Sequence, residues 1–270
     1  MPFLPKLPVA VSIFSLLLYA IPANGQGVRA EKPPVVVIAH RGNHVSVPEN
    51  TLASCREAIR CGSDYVEVDV RTTKDGKLVL LHDVKVDRTT NGQGALSELT
   101  WKQVKHLRIA GKNRKKYRIP RFERVLKLCQ GKIKIYLDFK EADVAQTWKR
   151  IQQQNMADRV IVYLNEEEQY TAWKNIAPNV PLMTSLPEKY EGVTGLKTFL
   201  GMIDVQVLDN LEIPALVEEA RKQGVAVWLD VQSPQEGPAS WDAALQKGVA
   251  GLQTDHPEEL IRYLKRQKLR

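Results

Sequence analysis

The sequence predicts one (β/α)8 barrel of the TIM type, an α/β fold, with a short polar insertion after the third strand. Three observations predict it. Strand-like and helix-like stretches alternate over about 230 residues without a composition break that would mark a linker, the pattern of one parallel α/β domain. Ionisable side chains fall at the C-terminal ends of several strand-like runs around the chain, where barrel enzymes carry their chemistry. No G-x-G-x-x-G or P-loop follows a strand, which removes the dinucleotide and nucleoside-triphosphate readings.

The elements follow in order. An apolar run over 35–39 is the first strand, and Pro48-Glu49-Asn50-Thr51 opens a helix over 52–60 with Asn50 or Thr51 as its cap. Strands over 65–70 and 78–81 come next, separated by the turn signal Asp75-Gly76. A hairpin there would pair residues whose numbers sum to 151, setting Asp69 opposite His82; a crossover is the other geometry. Residues 83–118 form the polar insertion, with a short helix near 101–107. A helix begins at Pro120 and runs to about Gln130. Strands over 133–139, 160–164, 181–185, 225–231 and 251–254 then alternate with helices over 143–154, 166–176, 213–223 and 239–247. Residues 205–208 make a ninth strand candidate for eight slots, and theirs is the weakest pattern.

The barrel spans 35–262, after a short linker over 26–34 and before a basic C-terminal tail over 263–270. Residues 1–25 read as a signal peptide: Lys6 is the positive start, 7–22 the apolar stretch, and Ala23-Asn24-Gly25 supplies small residues before a cut ahead of Gln26. The expectation is an exported protein, secreted or periplasmic. Cys55, Cys61 and Cys129 do not make a disulfide framework and read as small buried hydrophobes. The net charge of +8 favours anionic partners without choosing among phosphates, acidic lipid surfaces and nucleic acid. The basic stretch 112–118 is either a solvated loop or a weak contact with an anionic membrane surface.

The stretch from Val35 to Asp83 carries most of the chemistry. Side chains alternate along a strand, so Glu67 and Asp69 point to one face. Two carboxylates on one side of an apolar strand repel each other unless a cation lies between them. Oxygen-only ligands favour a hard divalent ion, Mg²⁺ or Ca²⁺. Asp138 and Lys140 share a face at another strand end, offering a third carboxylate and a cation for a phosphate. Trp228 alone reads as plain core. Two histidines, three carboxylates, an arginine and a lysine on strand ends are hard to explain as burial, because each charge there needs a partner.

The chain resembles the glycerophosphodiester phosphodiesterase family. The resemblance rests on His40-Arg41-Gly42, Pro48-Glu49-Asn50-Thr51, Glu67-Val68-Asp69, His82-Asp83, Asp87-Arg88-Thr89-Thr90-Asn91-Gly92, Ile119-Pro120, Asp138-Phe139-Lys140 and GVAGLQTDHP over 248–257, in the family's order. It implies that Glu67, Asp69 and Asp138 hold one divalent cation, Mg²⁺ or Ca²⁺. It implies His40 and His82 as the acid–base pair, with Arg41 and Lys140 on the phosphate of a small glycerophosphodiester. Two departures stand out. The third ligand is more often Glu in the family, and the family's Trp-Thr-Val-Asn appears as Trp228-Leu229-Asp230-Val231, which bears on Trp228 as a substrate wall. The reaction expected is hydrolysis to an alcohol and glycerol 3-phosphate. The alternatives are a related lipid phosphodiesterase of the lysophospholipase D kind and a non-catalytic exported module that binds anions. Nucleic acid is not the expected partner, and the oligomeric state is not legible.

Overall fold

A computed structural model describes residues 33–110 and 116–270. The expected signal peptide, most of the linker and residues 112–115 of the basic loop lie outside the described residues.

The strands are β1 (Val36–Ala39), β2 (Tyr65–Thr72), β3 (Leu78–Leu80), β4 (Lys134–Glu141), β5 (Val160–Leu164), β6 (Leu182–Ser185), β7 (Val207–Asp209), β8 (Ala226–Asp230) and β9 (Gly251–Thr254). Among the described residues, eight of them form one parallel ring, β1-β9-β8-β7-β6-β5-β4-β2, closed by the pairing of β1 with β2. The ninth, β3, hangs antiparallel on β2. The surplus strand is therefore the hairpin strand, and 207–209, the weakest in the sequence, is a true stave of the barrel. A three-residue strand offers too short a run for periodicity to stand out. The closed eight-stranded barrel is the fold class the sequence predicted.

The hairpin register differs from expectation by one residue. Val70 faces Leu80 and Thr72 faces Leu78, because Thr73 N–H bonds to the Lys77 carbonyl around a three-residue loop. Asp69 consequently faces Leu81, whose N–H it accepts at 3.1 Å, and His82 lies one step beyond. Strand β2 is long enough to serve two neighbours on one edge: Tyr65 and Val66 close the barrel against β1, and Val70 to Thr72 pair with β3.

Among the described residues, eight helices cover the ring, each burying one apolar face: α1 (Leu52–Cys61), α3 (Phe122–Cys129), α4 (Val144–Gln153), α5 (Glu167–Ile176), α6 (Gly192–Met202), α7 (Pro214–Lys222), α8 (Pro238–Gln246) and α9 (Pro257–Arg266). Outward strand residues such as Val66, Val68, Leu137, Val162 and Leu208 pack beneath them in the main core. The polar insertion after β3 contains α2 (Trp101–Val104) and closes over its own small core of Val79, Leu81, Val86, Leu96, Val104, Ile109 and Ile119. The expected basic tail is not a separate segment. Tyr263 and Leu264 of α9 are buried, and Arg270 pairs with Asp64 and reaches the Gly62 carbonyl at 2.7 Å. All three cysteines are free, with Cys55 and Cys129 buried between α1 and α3. The contact with Cys129 and burial together push the Cys55 thiol well above its ordinary range.

Candidate active site

The strand period of two builds the site. Inward side chains change from apolar low in the barrel to polar at the C-terminal rim: Ile38 then His40, Tyr65 then Glu67 and Asp69, Tyr136 then Asp138 and Lys140, Val207 then Asp209, Trp228 then Asp230. The rim residues line one cavity of about 400 Å³, floored by Tyr136 and Tyr163. His40, Arg41, Glu67, Asp69, His82, Asp138 and Lys140 all lie on it. Trp228 does not sit on its wall. The indole is 5 % exposed and packs one layer lower against Tyr65 and Tyr136, so Asp230, two residues on, takes the rim position. A Cβ on Gly251 would come within 2.6 Å of that indole, which is why the last strand begins with glycine.

The two sequence motifs that follow β1 fix the carboxylates. Arg41 and Gly42 turn the chain in the left-handed region (φ 50° and 81°). The turn aims the Arg41 N–H at Glu67 Oε2, 2.6 Å away. Asn50, also left-handed, clamps Asp69 from two sides. Its amide donates to Asp69 Oδ2 at 2.6 Å, and its carbonyl oxygen accepts the Asp69 N–H at 3.2 Å. Thr51 caps α1, accepting from the Ser54 N–H, while Ser54 Oγ accepts from the Thr51 N–H. Gly42 rests against this cap: a Cβ there would meet Ser54 Cβ at 2.6 Å and its carbonyl carbon at 2.7 Å. Gly42→Ala is therefore expected to cost about 2 kcal/mol or more from the left-handed φ and the overlap. The urea midpoint measures it, and an unchanged midpoint would refute the packing argument.

Glu67 and Asp69 are 3 % and 1 % exposed. Burial, then the neighbouring Asp69 and Asp138, push the Glu67 carboxyl well above its usual range; burial and Asp138 raise Asp69. Oxygens of Glu67, Asp69 and Asp138 lie within 4.8 Å of one another. Asp69 Oδ1 is buried and accepts no hydrogen bond. An oxygen-only trio with an unsatisfied lone pair fits a hard divalent ion. Lys140 Nζ stands beside the trio, 2.5 Å from Asp138 Oδ2 and 3.6 Å from Asp69 Oδ1, and Arg41 Nε is 3.7 Å from Asp69 Oδ2. Asn165 orients Asp138 from the next strand end, donating to Oδ1 at 2.8 Å.

Each histidine is backed by a carboxylate. His40 Nδ1 lies 2.7 Å from Asp255 Oδ1, and His82 Nδ1 lies 2.8 Å from Asp83 Oδ1. An ionised carboxylate only accepts, so both Nδ1 atoms carry protons and Nε2 is the basic nitrogen. His44 is partly buried and holds the same Asp255 oxygen at 3.0 Å. Arg88 joins the two halves of the site. It donates to Asp83 at 2.6 and 2.9 Å and to Glu49 at 2.8 and 3.0 Å, and Glu49 accepts from Arg41 at 3.1 Å.

Burial pushes the Asp255 carboxyl up, but hydrogen bonds from His40 and His44 outweigh it and hold the group well below its usual range. A depressed carboxyl contributes stability that is present above the unfolded pKa, about 3.9, and is lost as pH falls through the folded value. Asp255→Asn should therefore flatten the loss of stability between about pH 5 and 2. A denaturation midpoint that falls as steeply in the variant as in the parent would contradict this.

Sequence reasoning missed Asn50 as a carboxylate clamp, Asp83 and Asp255 as histidine partners, and Asn165, Asp209, Asp230, Gln232 and Gln253 as cavity residues. The signal for Asp209 was present: it follows Val207 at the strand period, on the strand given least weight.

The sequence model of the glycerophosphoryl diester phosphodiesterase family matches residues 40–259. A glycerophosphodiester phosphodiesterase of Caldanaerobacter subterraneus subsp. tengcongensis is 31 % identical over 245 residues, covering 86 % of this chain and 98 % of that protein. The crystal structure of a glycerophosphodiester phosphodiesterase from Agrobacterium tumefaciens superposes with a TM-score of 0.73 at 25 % identity, over 83 % of this chain and 98 % of that one. An Oleispira antarctica phosphodiesterase, solved in complex with the product sn-glycerol-3-phosphate, shares the fold (TM-score 0.76, 20 % identity, 86 % and 97 % covered). With the family's sequence matched from His40 at the end of β1 to Glu259 in the last helix, on a closed barrel, this chain belongs to the glycerophosphodiester phosphodiesterase family.

Proposed function

We infer that this phosphodiesterase hydrolyses small glycerophosphodiesters to an alcohol and glycerol 3-phosphate, using His40 and His82 for proton transfer. One observation carries the reading: two histidines, each with a carboxylate on Nδ1, share a single cavity with a trio of carboxylates, two of them buried, and two cations. The product named for the Oleispira relative supports the same bond cleavage.

Glu67, Asp69 and Asp138 would hold one Mg²⁺ or Ca²⁺, and such an ion offsets the charge of a phosphodiester and of the oxygens in its transition state. Arg41 and Lys140 line the same cavity and bind phosphate oxygens. One histidine Nε2 takes the proton of the attacking hydroxyl, either water, which gives glycerol 3-phosphate directly, or a substrate hydroxyl, which gives a cyclic phosphate that water then opens to glycerol 3-phosphate. The other histidine, protonated, gives its proton to the departing alcohol. Asp83 and Asp255 hold the rings in the required tautomer and stabilise each imidazolium as it forms.

One further observation supports a second reading for the size of the glycerol side of the substrate. A groove of about 520 Å³, walled by Pro187, Tyr190, Phe199 and Met202, shares Tyr163 and Asn165 with the site. It would accept the single chain of a lysophospholipid. The test is release of free glycerol 3-phosphate from glycerophosphoethanolamine, against release of the lysophosphatidic product from the matching lysolipid, with Mg²⁺, with Ca²⁺ and with EDTA. Metal-dependent turnover of the small diester supports the first reading, and turnover of the lysolipid alone supports the second.

A further inference from the structure

The cavity carries more negative charge than the proposed reaction needs. Glu67, Asp69 and Asp138 account for a cation on one side. Asp209 and Asp230 lie on the same cavity, at the rims of β7 and β8. In the ring order these two strands stand diametrically opposite β2 and β4, which bear the trio. Five carboxylates thus face two fixed cations, Arg41 and Lys140, in a cavity that must admit an anionic diester. Carboxylates placed there solely for packing would repel the substrate and each other.

The pair is built and not incidental. Asn210 Nδ2 donates to Asp209 Oδ2 and to Asp230 Oδ2, each at 3.1 Å, and Asn210 Oδ1 accepts the Asp230 N–H at 2.9 Å. Gln253 Nε2 donates to Asp230 Oδ1 at 2.6 Å. Asp209 is 5 % exposed; burial, then Asp230, raise its carboxyl well above the usual range. A second, independent observation points to a ligand. Gln253, only 6 % exposed and lining the cavity, leaves Oε1 without a hydrogen-bond donor, and Gln232 on the same wall does likewise. Two carboxylates and two unpartnered amide oxygens leave this wall with acceptors in excess of donors. What satisfies it is a cation that carries N–H donors.

We propose that Asp209, Asp230, Gln232 and Gln253 form a subsite for a protonated primary amine on the leaving alcohol of the substrate. The proposal rests on the diesterase reading and deepens it: the preferred diester is one whose alcohol ends in –NH₃⁺, with phosphate between the two acidic walls. A quaternary ammonium supplies the charge but no N–H for the amide oxygens, and a neutral polyol supplies hydroxyls but no charge. A site built to bond a donor discriminates strongly against analogues that lack it.

The test compares kcat/KM for glycerophosphoethanolamine, glycerophosphocholine and glycerophosphoglycerol, using the full chain with Mg²⁺. The expected order places glycerophosphoethanolamine first, by roughly tenfold or more over the glycerol diester. In Asp230→Asn that ratio should fall toward one, mainly through KM. Asp209→Asn is the second variant, should Asp230→Asn not fold. Calorimetry adds a readout independent of turnover: ethanolammonium chloride should bind the parent, bind the variant at least tenfold more weakly, and outcompete tetramethylammonium. Diester turnover with equal preference for the three head groups overturns the subsite and leaves the diesterase reading intact. Ethanolammonium binding that depends on Asp230, without turnover of any diester, leaves the subsite and removes the diesterase reading. Two Mg²⁺ ions per parent chain, with one lost in Asp230→Asn, would assign the wall to a second metal and overturn the proposal.

Discussion

His40→Ala and His82→Ala are each expected to lower kcat on glycerophosphoethanolamine by about 10² to 10⁴, the usual worth of a positioned general acid or base. The fold should survive both changes. Each ring is anchored at the barrel rim by one carboxylate, and neither belongs to the hydrophobic core. Loss of His40 also frees Asp255, which keeps His44 as a partner at 3.0 Å, so the local charge stays paired. Loss of His82 leaves Asp83 bonded to Arg88. Circular dichroism and the urea midpoint should match the parent within about 1 kcal/mol, as for other changes outside the core. Because the two histidines act on one proton-transfer sequence, the double variant should lose little more than the worse single one. Near-parental kcat in either single variant would remove that residue from catalysis.

The second large effect concerns the trio. Without a cation, Glu67 is a buried carboxylate raised by burial and by Asp69 and Asp138. A divalent ion bound only to the folded chain stabilises it by about 2.7 kcal/mol at a hundredfold excess over Kd, a rise of roughly 5–10 °C in Tm for a barrel of this size. Glu67→Gln should abolish most of that rise and most of the turnover. It should also make the metal-free protein more stable than the metal-free parent, because it removes one of three crowded carboxylates. The opposing signs distinguish a ligand from a structural residue. A variant less stable than the parent both with and without Mg²⁺, yet with a full thermal shift, would show that Glu67 is not a ligand. Differential scanning fluorimetry with Mg²⁺, Ca²⁺ and EDTA reads all of these quantities.

How far the sequence revealed this site depends on the kind of information each residue carries. Glu67 and Asp69 were legible because two charges at the strand period in an apolar run have no packing explanation. Asp138 and Lys140 followed by the same rule. The barrel was legible from alternation alone, whereas the odd strand was misassigned: β3 is apolar and continuous, and periodicity does not distinguish a hairpin strand from a stave. Register was lost by one residue because the loop holds three residues, not two, a matter of turn geometry. Trp228 shows the limit of motif reading. The tryptophan is present, but the strand register puts its indole in the interior layer and lifts Asp230 to the rim. The histidine–carboxylate pairs differ in range. Asp83 adjoins His82 in the chain, but Asp255 reaches His40 across 215 residues, and only the β1–β9 pairing makes them neighbours.

The measurement that bears most directly on the whole account is ³¹P NMR of glycerophosphoethanolamine with the parent protein and with His82→Ala, each with Mg²⁺ and with EDTA. In the parent with Mg²⁺ alone, the diester resonance should be replaced by that of glycerol 3-phosphate. Phosphoethanolamine as the product, or glycerol 3-phosphate formed equally fast by His82→Ala, would contradict it.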